Sequence, residues 1–387
     1  MIPVSDALSK LFDLVRVTEP EEVPLAQANG RVMVKAPVAR RDQPPFAASA
    51  MDGYALSEPD LGKTYKIIGE SAAGHAFDGT LSTGDCVRIF TGAPVPAGAT
   101  HVAIQEDVTR TGDQITLNDL DRGTNIRPAG GDFHAGQTLP VPKTLTPNDI
   151  ALLAAMNIPT VTVARKPKVA LISTGDELVM PGENPGPDQI IASNTFGLQA
   201  LLRDHGALPR VLPIARDSES SLRTVFGMVD DADLVITIGG ASVGDHDLVA
   251  KVAEDLGMNR AFYKVAMRPG KPLMSGRLGG AMMMGLPGNP VSAMVCGHIF
   301  VLPVIRAMLG LQAAPATQLS APLAAELGEN GPREHYMRAQ LGPDGLTVFE
   351  RQDSSLLGVL QQANALVVRP PHDSKRKKGA KISYIPL

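Results

Sequence analysis

The strongest constraint on the fold lies between Pro167 and Gly310, where strand, glycine-containing loop and helix recur in turn. Val169-Ala170-Leu171-Ile172 is continuously apolar, as a strand covered on both faces must be. A helix carrying Leu198, Leu201 and Leu202 follows, with Asn194 suited to cap it and Gly206 to end it. Strand Val211 to Ile214 precedes a helix with Leu222, Val225 and Phe226. Strand Leu234 to Ile238 precedes a glycine loop and a helix through Val249 and Leu256. Further strands are expected at Phe262 to Ala266 and Ala281 to Met284, and Pro290 suits the first turn of a long last helix. The pattern predicts a doubly wound α/β domain built on a parallel sheet.

The rest of the chain reads differently. A first helix is expected over residues 5 to 15, with Ser5 as its N-cap. Up to Lys166, short strand-like runs such as Tyr65-Lys66-Ile67-Ile68 and Cys86-Val87-Arg88-Ile89 alternate with turn residues, which points to a β-rich barrel or sandwich. After a Gln312 to Gln318 linker come further short strands, Thr347-Val348-Phe349 and Ala365-Leu366-Val367-Val368, which suit a small C-terminal β domain. At 387 residues the chain exceeds one hydrophobic core. The fold class is therefore multidomain α/β plus β.

Several functional classes are disfavoured. The formal net charge is −4, which argues against a general affinity for nucleic acid. The basic run Lys375, Arg376, Lys377 and Lys378 reads as a solvated turn. Cys86 and Cys296 form no CxxC pair, so buried reduced thiols of a cytoplasmic protein are expected rather than zinc or disulfides. The N-terminus does not have the pattern of a signal peptide. Val291 to Leu309 is long and apolar but contains Ser292, His298, Pro303 and Arg306. It reads as a buried helix, not a membrane span.

Ligands of an open parallel sheet bind beyond the carboxyl ends of its strands. Those ends carry Ser173-Thr174-Gly175-Asp176-Glu177, the run from Gly239-Gly240 through Ser242 to Asp245-His246-Asp247, Arg268-Pro269-Gly270-Lys271-Pro272, and Leu286-Pro287-Gly288-Asn289-Pro290. Glycines expose backbone N–H groups to phosphate. Arg268 and Lys271 add positive charge, while Glu177, Asp245 and Asp247 would repel phosphate unless a cation intervened. Oxygen ligands beside phosphate favour Mg²⁺. The set points to a phosphorylated or nucleotidyl ligand with Mg²⁺. Taken alone, each loop also reads as a turn, and Asp217 before Ser218 reads as a helix cap. No G-x-G-x-x-G follows the first strand, so a dinucleotide site is excluded. In the β-rich half, Ser49-Ala50-Met51-Asp52-Gly53-Tyr54, Thr91-Gly92-Ala93-Pro94 and the segment from Arg127 to Asp132 stand out, although Asp-Gly and Thr-Gly suit ordinary turns.

Taken in order, these motifs resemble the molybdopterin molybdenumtransferase family, which includes a domain of gephyrin-like proteins. The resemblance spans nearly the whole chain and implies four domains. The boundaries expected are 1–37 for the first helix and first part of a connector, 38–137 for an inserted β-rich domain, 138–166 for the rest of the connector, 167–312 for the α/β pterin-binding domain, and 313–387 for a C-terminal β-barrel. It also implies a cytoplasmic homodimer. The implied reaction inserts molybdate into adenylylated molybdopterin and releases AMP, with Mg²⁺ as cofactor. Transient contacts with the adenylyltransferase and with acceptor molybdoenzymes are implied as well, and neither nucleic acid nor membrane is expected as a partner.

Carried over by position, the resemblance assigns catalysis to Asp52, Thr91, Asp132, Glu177 and Lys271. It assigns substrate binding to Thr174, Gly175, Asp217, Gly239, Gly240, Ser242, Asp247, Arg268, Pro287, Gly288, Asn289 and Pro290. Glu177 and Asp247 would hold Mg²⁺ or orient the attacking water. Lys271 and Arg268 would steady phosphate or molybdate charge. Arg268 stands where the family often has Lys, and Ala241 where Val is frequent. Two other readings compete. One is the pterin adenylyltransferase, which leaves residues 38 to 137 and the C-terminal barrel without a purpose. The other is a gephyrin-like binding scaffold.

Overall fold

The computed structural model describes residues 1–120, 122–240 and 248–387. Its contacts divide the chain into two compact units. One comprises Met1–Glu21 and Ala164–Leu387, and the other Glu22–Val163.

The first unit is centred on a six-stranded sheet. Its strands are β1 (Lys168–Ser173), β2 (Leu208–Val211), β3 (Leu234–Ile238), β4 (Asn259–Tyr263), β5 (Met274–Leu278) and β6 (Ala281–Leu286), in the spatial order β2-β1-β3-β6-β5-β4. The four strands from β2 to β6 run parallel. Ala170 and Ile172 join a buried cluster with Leu222, Val225, Phe226, Val249 and Val252. Val169 and Leu171, also buried, alternate to the opposite face, where helix Asn194–Asp204 contacts β1. Helices thus cover both faces, as the continuous apolar runs require.

The sheet is mixed rather than wholly parallel. β5 is antiparallel to both β6 and β4. Leu278 pairs with Ala281 across Gly279-Gly280, and Gly279 has φ 55. This is a two-residue hairpin, for which Gly-Gly is a recognised signal. The strand expected at Phe262 to Ala266 ends earlier, at Tyr263, because Lys264 turns the chain with φ 69. The edge strand expected at Val211 to Ile214 lies at Leu208–Val211, with Pro213 just beyond it.

The helix caps also differ from expectation. Helix Val4–Leu14 has Pro3 at its N-cap, so Ser5 lies inside it. Helix Asn194–Asp204 starts after Ser193, and Asn194 does not cap it. The long apolar segment is helix Pro290–Cys296, a π turn over Gly297–Val301 and helix Leu302–Met308. Pro303 has no N–H for the preceding turn, and a widened turn is a usual accommodation. This helix is 83% buried, so its apolar surface is covered by the protein itself.

The C-terminal strands form a small barrel. Glu334–Gly342 pairs with Gly345–Val348 and Ala365–Arg369, which leads through Lys381–Pro386 to Leu319–Pro322. A Leu323–Leu346 bridge closes the ring. Ala321, Leu323, Ala339, Leu346 and Val367 fill the interior.

The second unit holds two sheets of note. A six-stranded sheet uses strands from Gly53–Leu56 to Gln114–Leu117, and a four-stranded sheet joins segments flanking it in sequence. Cys86 in the second unit and Cys296 in the first are both buried and free, and burial pushes the Cys86 thiol up to about 12.

Candidate active site

The strand order reverses between β1 and β3, because the chain passes from β1 to β2 on one side and then to β3 on the other. Such a switch point opens a crevice at the carboxyl ends of the two strands. A cleft of about 600 Å³ lies there. It brings together Thr174, Gly175, Glu177, Asp217, Gly239, Gly240 and the Pro287-Gly288-Asn289-Pro290 segment.

Close backbone approach explains the glycines. A Cβ on Gly239 would sit 2.7 Å from the Thr174 carbonyl oxygen, and one on Gly240 would sit 2.3 Å from a Val249 methyl. Both have positive φ, 94 and 67. Thr174 is 3% exposed, and its hydroxyl has no hydrogen-bond partner among the described residues. Leaving a buried hydroxyl unpaired costs about 1–3 kcal/mol, so a polar ligand group in the cleft would complete it.

Glu177 is held by its own loop. A Cβ on Gly175, which has φ 145, would lie 2.4 Å from Glu177 Oε2, so the carboxylate folds back over the glycine. Arg216 Nη1 donates to the carbonyls of Asp176 and Leu178, each at 3.0 Å. That clamp escapes the sequence reading, which followed Asp217 beside it. Asp217 itself does not cap the next helix. Ser218 does, its hydroxyl accepting from Ser221 N, and Asp217 lines the cleft instead.

The far wall is tied to the barrel. Asn194 Nδ2 donates to the Gly288 carbonyl at 2.7 Å. Asn289 Nδ2 donates to Ser354 Oγ at 3.0 Å, and Val291 N donates to the Ser354 carbonyl. Ser355 lines the cleft, and its N and Oγ both donate to Asp353 Oδ1. Those bonds hold the Asp353 carboxyl below its usual range. Ile190 and Ile191, paired with Leu178–Val179, add an apolar wall.

Arg268 and Lys271 do not line the cleft, although Pro272 does. Arg268 pairs with His335 on the barrel strand. On that strand Arg338 is 1% exposed. Its Nε donates to Gln352 Oε1 and its Nη1 to the Asp353 carbonyl at 2.7 Å, while Nη2 has no partner among the described residues. Burial and the neighbouring Arg268, Arg338, Arg369 and Arg333 charges push His335 down to about 4. Positive charge with a free buried N–H donor suits an oxyanion. Arg338 was missed because its importance comes from a pairing with a distant loop; the one local signal is an arginine inside the apolar run Tyr336-Met337-Arg338-Ala339.

In the second unit, Thr91 N and Oγ1 each donate to Asp52 Oδ1 at 2.7 Å. These bonds hold the Asp52 carboxyl below its usual range. Asp132 is exposed, with its backbone N bonded to the Gln43 carbonyl. Ser242 and Asp247, with Asp245 and His246, lie outside the described residues.

Among the described residues no group of three or more His, Cys, Asp or Glu gathers as a metal cage. Mg²⁺ with a phosphorylated substrate takes only one or two carboxylates. Glu177 and Asp217 in one cleft fit that donor set.

Three family descriptions match the chain in order. The MoeA N-terminal region (domain I and II) matches residues 2–157, a probable molybdopterin binding domain residues 170–307, and the MoeA C-terminal region (domain IV) residues 320–387. A molybdopterin molybdenumtransferase of Nostoc is 34% identical, covering 100% of this chain and 94% of its own length. Molybdopterin molybdenumtransferase 2 of Mycobacterium tuberculosis is 36% identical over 92% of this chain and 93% of its own. The crystal structure of a molybdopterin biosynthesis MoeA protein from Pyrococcus horikoshii superposes with a TM-score of 0.86 at 27% identity, covering 100% of both chains. The chain belongs to the molybdopterin molybdenumtransferase family and is a transferase of molybdenum cofactor biosynthesis.

Proposed function

We propose that the chain inserts molybdate into adenylylated molybdopterin and releases AMP in the same reaction. The observation that carries this reading is the Asp353-Ser354-Ser355 segment. Ser355 lines the glycine-floored cleft, while the Asp353 carbonyl accepts from Arg338. A phosphate-binding cleft and a cationic oxyanion locus thus adjoin across three consecutive residues. Two substrates, one a phosphoanhydride and one a tetrahedral dianion, need that pairing.

In this reading the Gly239 and Gly240 floor and the Thr174 hydroxyl receive phosphate or ribose oxygens. Ile190 and Ile191 offer an apolar face to the flat pterin. Arg268, Lys271 and Arg338 hold molybdate. Glu177 orients the water that attacks the anhydride, and the proton passes to its carboxylate. Mg²⁺, when bound, would neutralise phosphate charge, held by Glu177 with Asp217 or Asp247. Asp52, Thr91 and Asp132 serve the same reaction. We further place the enzyme in the cytoplasm as a homodimer that meets the adenylyltransferase and acceptor molybdoenzymes transiently.

The test is to incubate the full chain with adenylylated molybdopterin, Mg²⁺ and molybdate and to follow AMP. Release that depends on molybdate is expected. Equal release without any oxyanion would make the chain a plain hydrolase.

A further inference from the structure

We infer that Arg88 is a positioning residue, whose guanidinium clamps the two loops that carry Asp52 and Thr91. This rests on the reading that Asp52 serves the reaction.

Asp52 immediately precedes strand Gly53–Leu56, and Thr91 follows strand Asp85–Ile89 by two residues. These strands are antiparallel neighbours, with Tyr54 opposite Arg88. Arg88 Nη1 donates to the Gly53 carbonyl at 3.0 Å, and Nη2 donates to Gln105 Oε1 at 2.8 Å. Gln105 N in turn donates to the Asp52 carbonyl at 3.0 Å. The guanidinium lies 5.1 Å from the Tyr54 ring centre and 4.7 Å from that of Phe90. One planar group therefore touches the residue after Asp52, the residue before Thr91, and the residue that holds the Asp52 backbone.

The surroundings leave little slack. A Cβ on Gly53 would lie 1.8 Å from the Ala103 carbonyl oxygen, so the strand is pressed against its other neighbour. Asp52 Oδ1 is occupied by both Thr91 donors, while Oδ2 has no hydrogen bond among the described residues. The clamp sets the direction in which that free oxygen points. Arg88 forms no ion pair among the described residues, and its charge also favours the ionised Asp52. A lysine could not reproduce two directed bonds and two ring contacts.

The test is a double-mutant cycle on the full chain, with kcat, KM and melting temperature measured for Asp52→Asn, Arg88→Met, Arg88→Lys and the Arg88→Met/Asp52→Asn pair. Arg88→Met should lower kcat by ~10-fold with KM changed less than ~3-fold. Arg88→Lys should stay within ~3-fold of Arg88→Met. In the Asp52→Asn background, Arg88→Met should cost less than ~2-fold more, because it acts through a group already lost. Equal losses in both backgrounds, or full recovery with Lys, would overturn the clamp. If Arg88→Met melts early, Arg88→Lys in both backgrounds decides by the same comparison. Parental kcat in Asp52→Asn would instead remove the reading of Asp52, and the clamp with it.

Discussion

Arg268 and His335 are register partners in a two-residue parallel ladder, so the Pro269-Gly270-Lys271-Pro272 loop is attached to the barrel as it leaves the α/β domain. The same loop is also packed against helix Pro290–Cys296 of the α/β domain. A Cβ on Gly270, at φ 109, would lie 2.7 Å from Cys296 Sγ. Through the Arg268–His335 ladder the C-terminal barrel shapes the cationic side of the site.

Two histidines, His335 buried and His298 half-buried, make stability depend on pH. His335 and His298 are both pushed down to about 4, chiefly by burial. The unfolded chain takes up these protons near pH ~6.5, and the folded chain excludes them until ~4. Their contribution is thus complete above the unfolded value, falls as pH drops through this window, and is fully lost below ~4. Between pH ~7.5 and ~5, each should cost ~1–2 kcal/mol. Carboxylates held low, such as Asp149 and Asp233, stay ionised there. Urea unfolding of the parent and of His298→Gln/His335→Gln at both pH values tests this. An equal pH slope in the two proteins would refute it.

Arg338→Met addresses the oxyanion locus. The buried Nη2 should lose its molybdate bond, and half-saturation by molybdate should rise by at least ~10-fold. Half-saturation by the pterin should change less than ~3-fold. Replacing a buried, incompletely paired charge with an apolar chain need not destabilise, so the melting temperature should hold within ~4 °C. An unchanged molybdate titration would sink this assignment.

Much of the α/β core was legible because strands buried on both faces need continuous apolar runs, and Val169 to Ile172 and Leu234 to Ile238 supply them. The glycine loops at the strand ends were legible for a similar reason, since only glycine tolerates the approach of Gly239 to Thr174. What escaped were features set by partners far away in sequence. The β5 hairpin was missed although Gly279-Gly280 signals it. Gly276 interrupts the apolar pattern there because β4 lies too close for a side chain, with the Asn259 carbonyl 2.4 Å from a Cβ position. Arg338 and Ser355 gain meaning only from the barrel pairing with the α/β loops. Local hydrogen-bonding rules misplaced the caps: Asn194 is used on Gly288, and Asp217 gives way to Ser218.

Closure of the barrel gives a stability prediction independent of chemistry. Leu346 meets Leu323 at the closing bridge, and Ala324 N donates to the Leu346 carbonyl at 2.9 Å. Gly345 has φ 106, and a Cβ there would sit 2.3 Å from the Pro322 carbonyl oxygen. Gly345→Ala should therefore destabilise by ~2–3 kcal/mol. Gly342, its register partner, has nothing within 4 Å of a Cβ position, so Gly342→Ala should cost under ~1 kcal/mol. Equal denaturation midpoints for the two variants would show that the strands can separate at little cost.

Glu177→Gln tests the proposed chemistry most directly. The side chain is exposed in the cleft and folds over Gly175, while the loop beneath is held through main-chain carbonyls by Arg216. Removing one charge with the shape kept should therefore leave the melting temperature within ~2 °C. Turnover should fall by at least ~10²-fold, the scale for a group that orients water or neutralises developing charge. Asp176→Asn is the internal comparison. Asp176 Oδ1 accepts from Asp217 N at 3.1 Å, which the amide oxygen of Asn can also do, so its loss should stay under ~5-fold. The same two variants should be titrated with Mg²⁺. A requirement that rises at least ~10-fold for Glu177→Gln alone would mark Glu177 as a metal ligand; an unchanged requirement with low turnover would leave it the water-orienting role. Near-parental turnover of Glu177→Gln at saturating Mg²⁺ would remove Glu177 from the mechanism and leave Asp217 as the described carboxylate of the cleft to test.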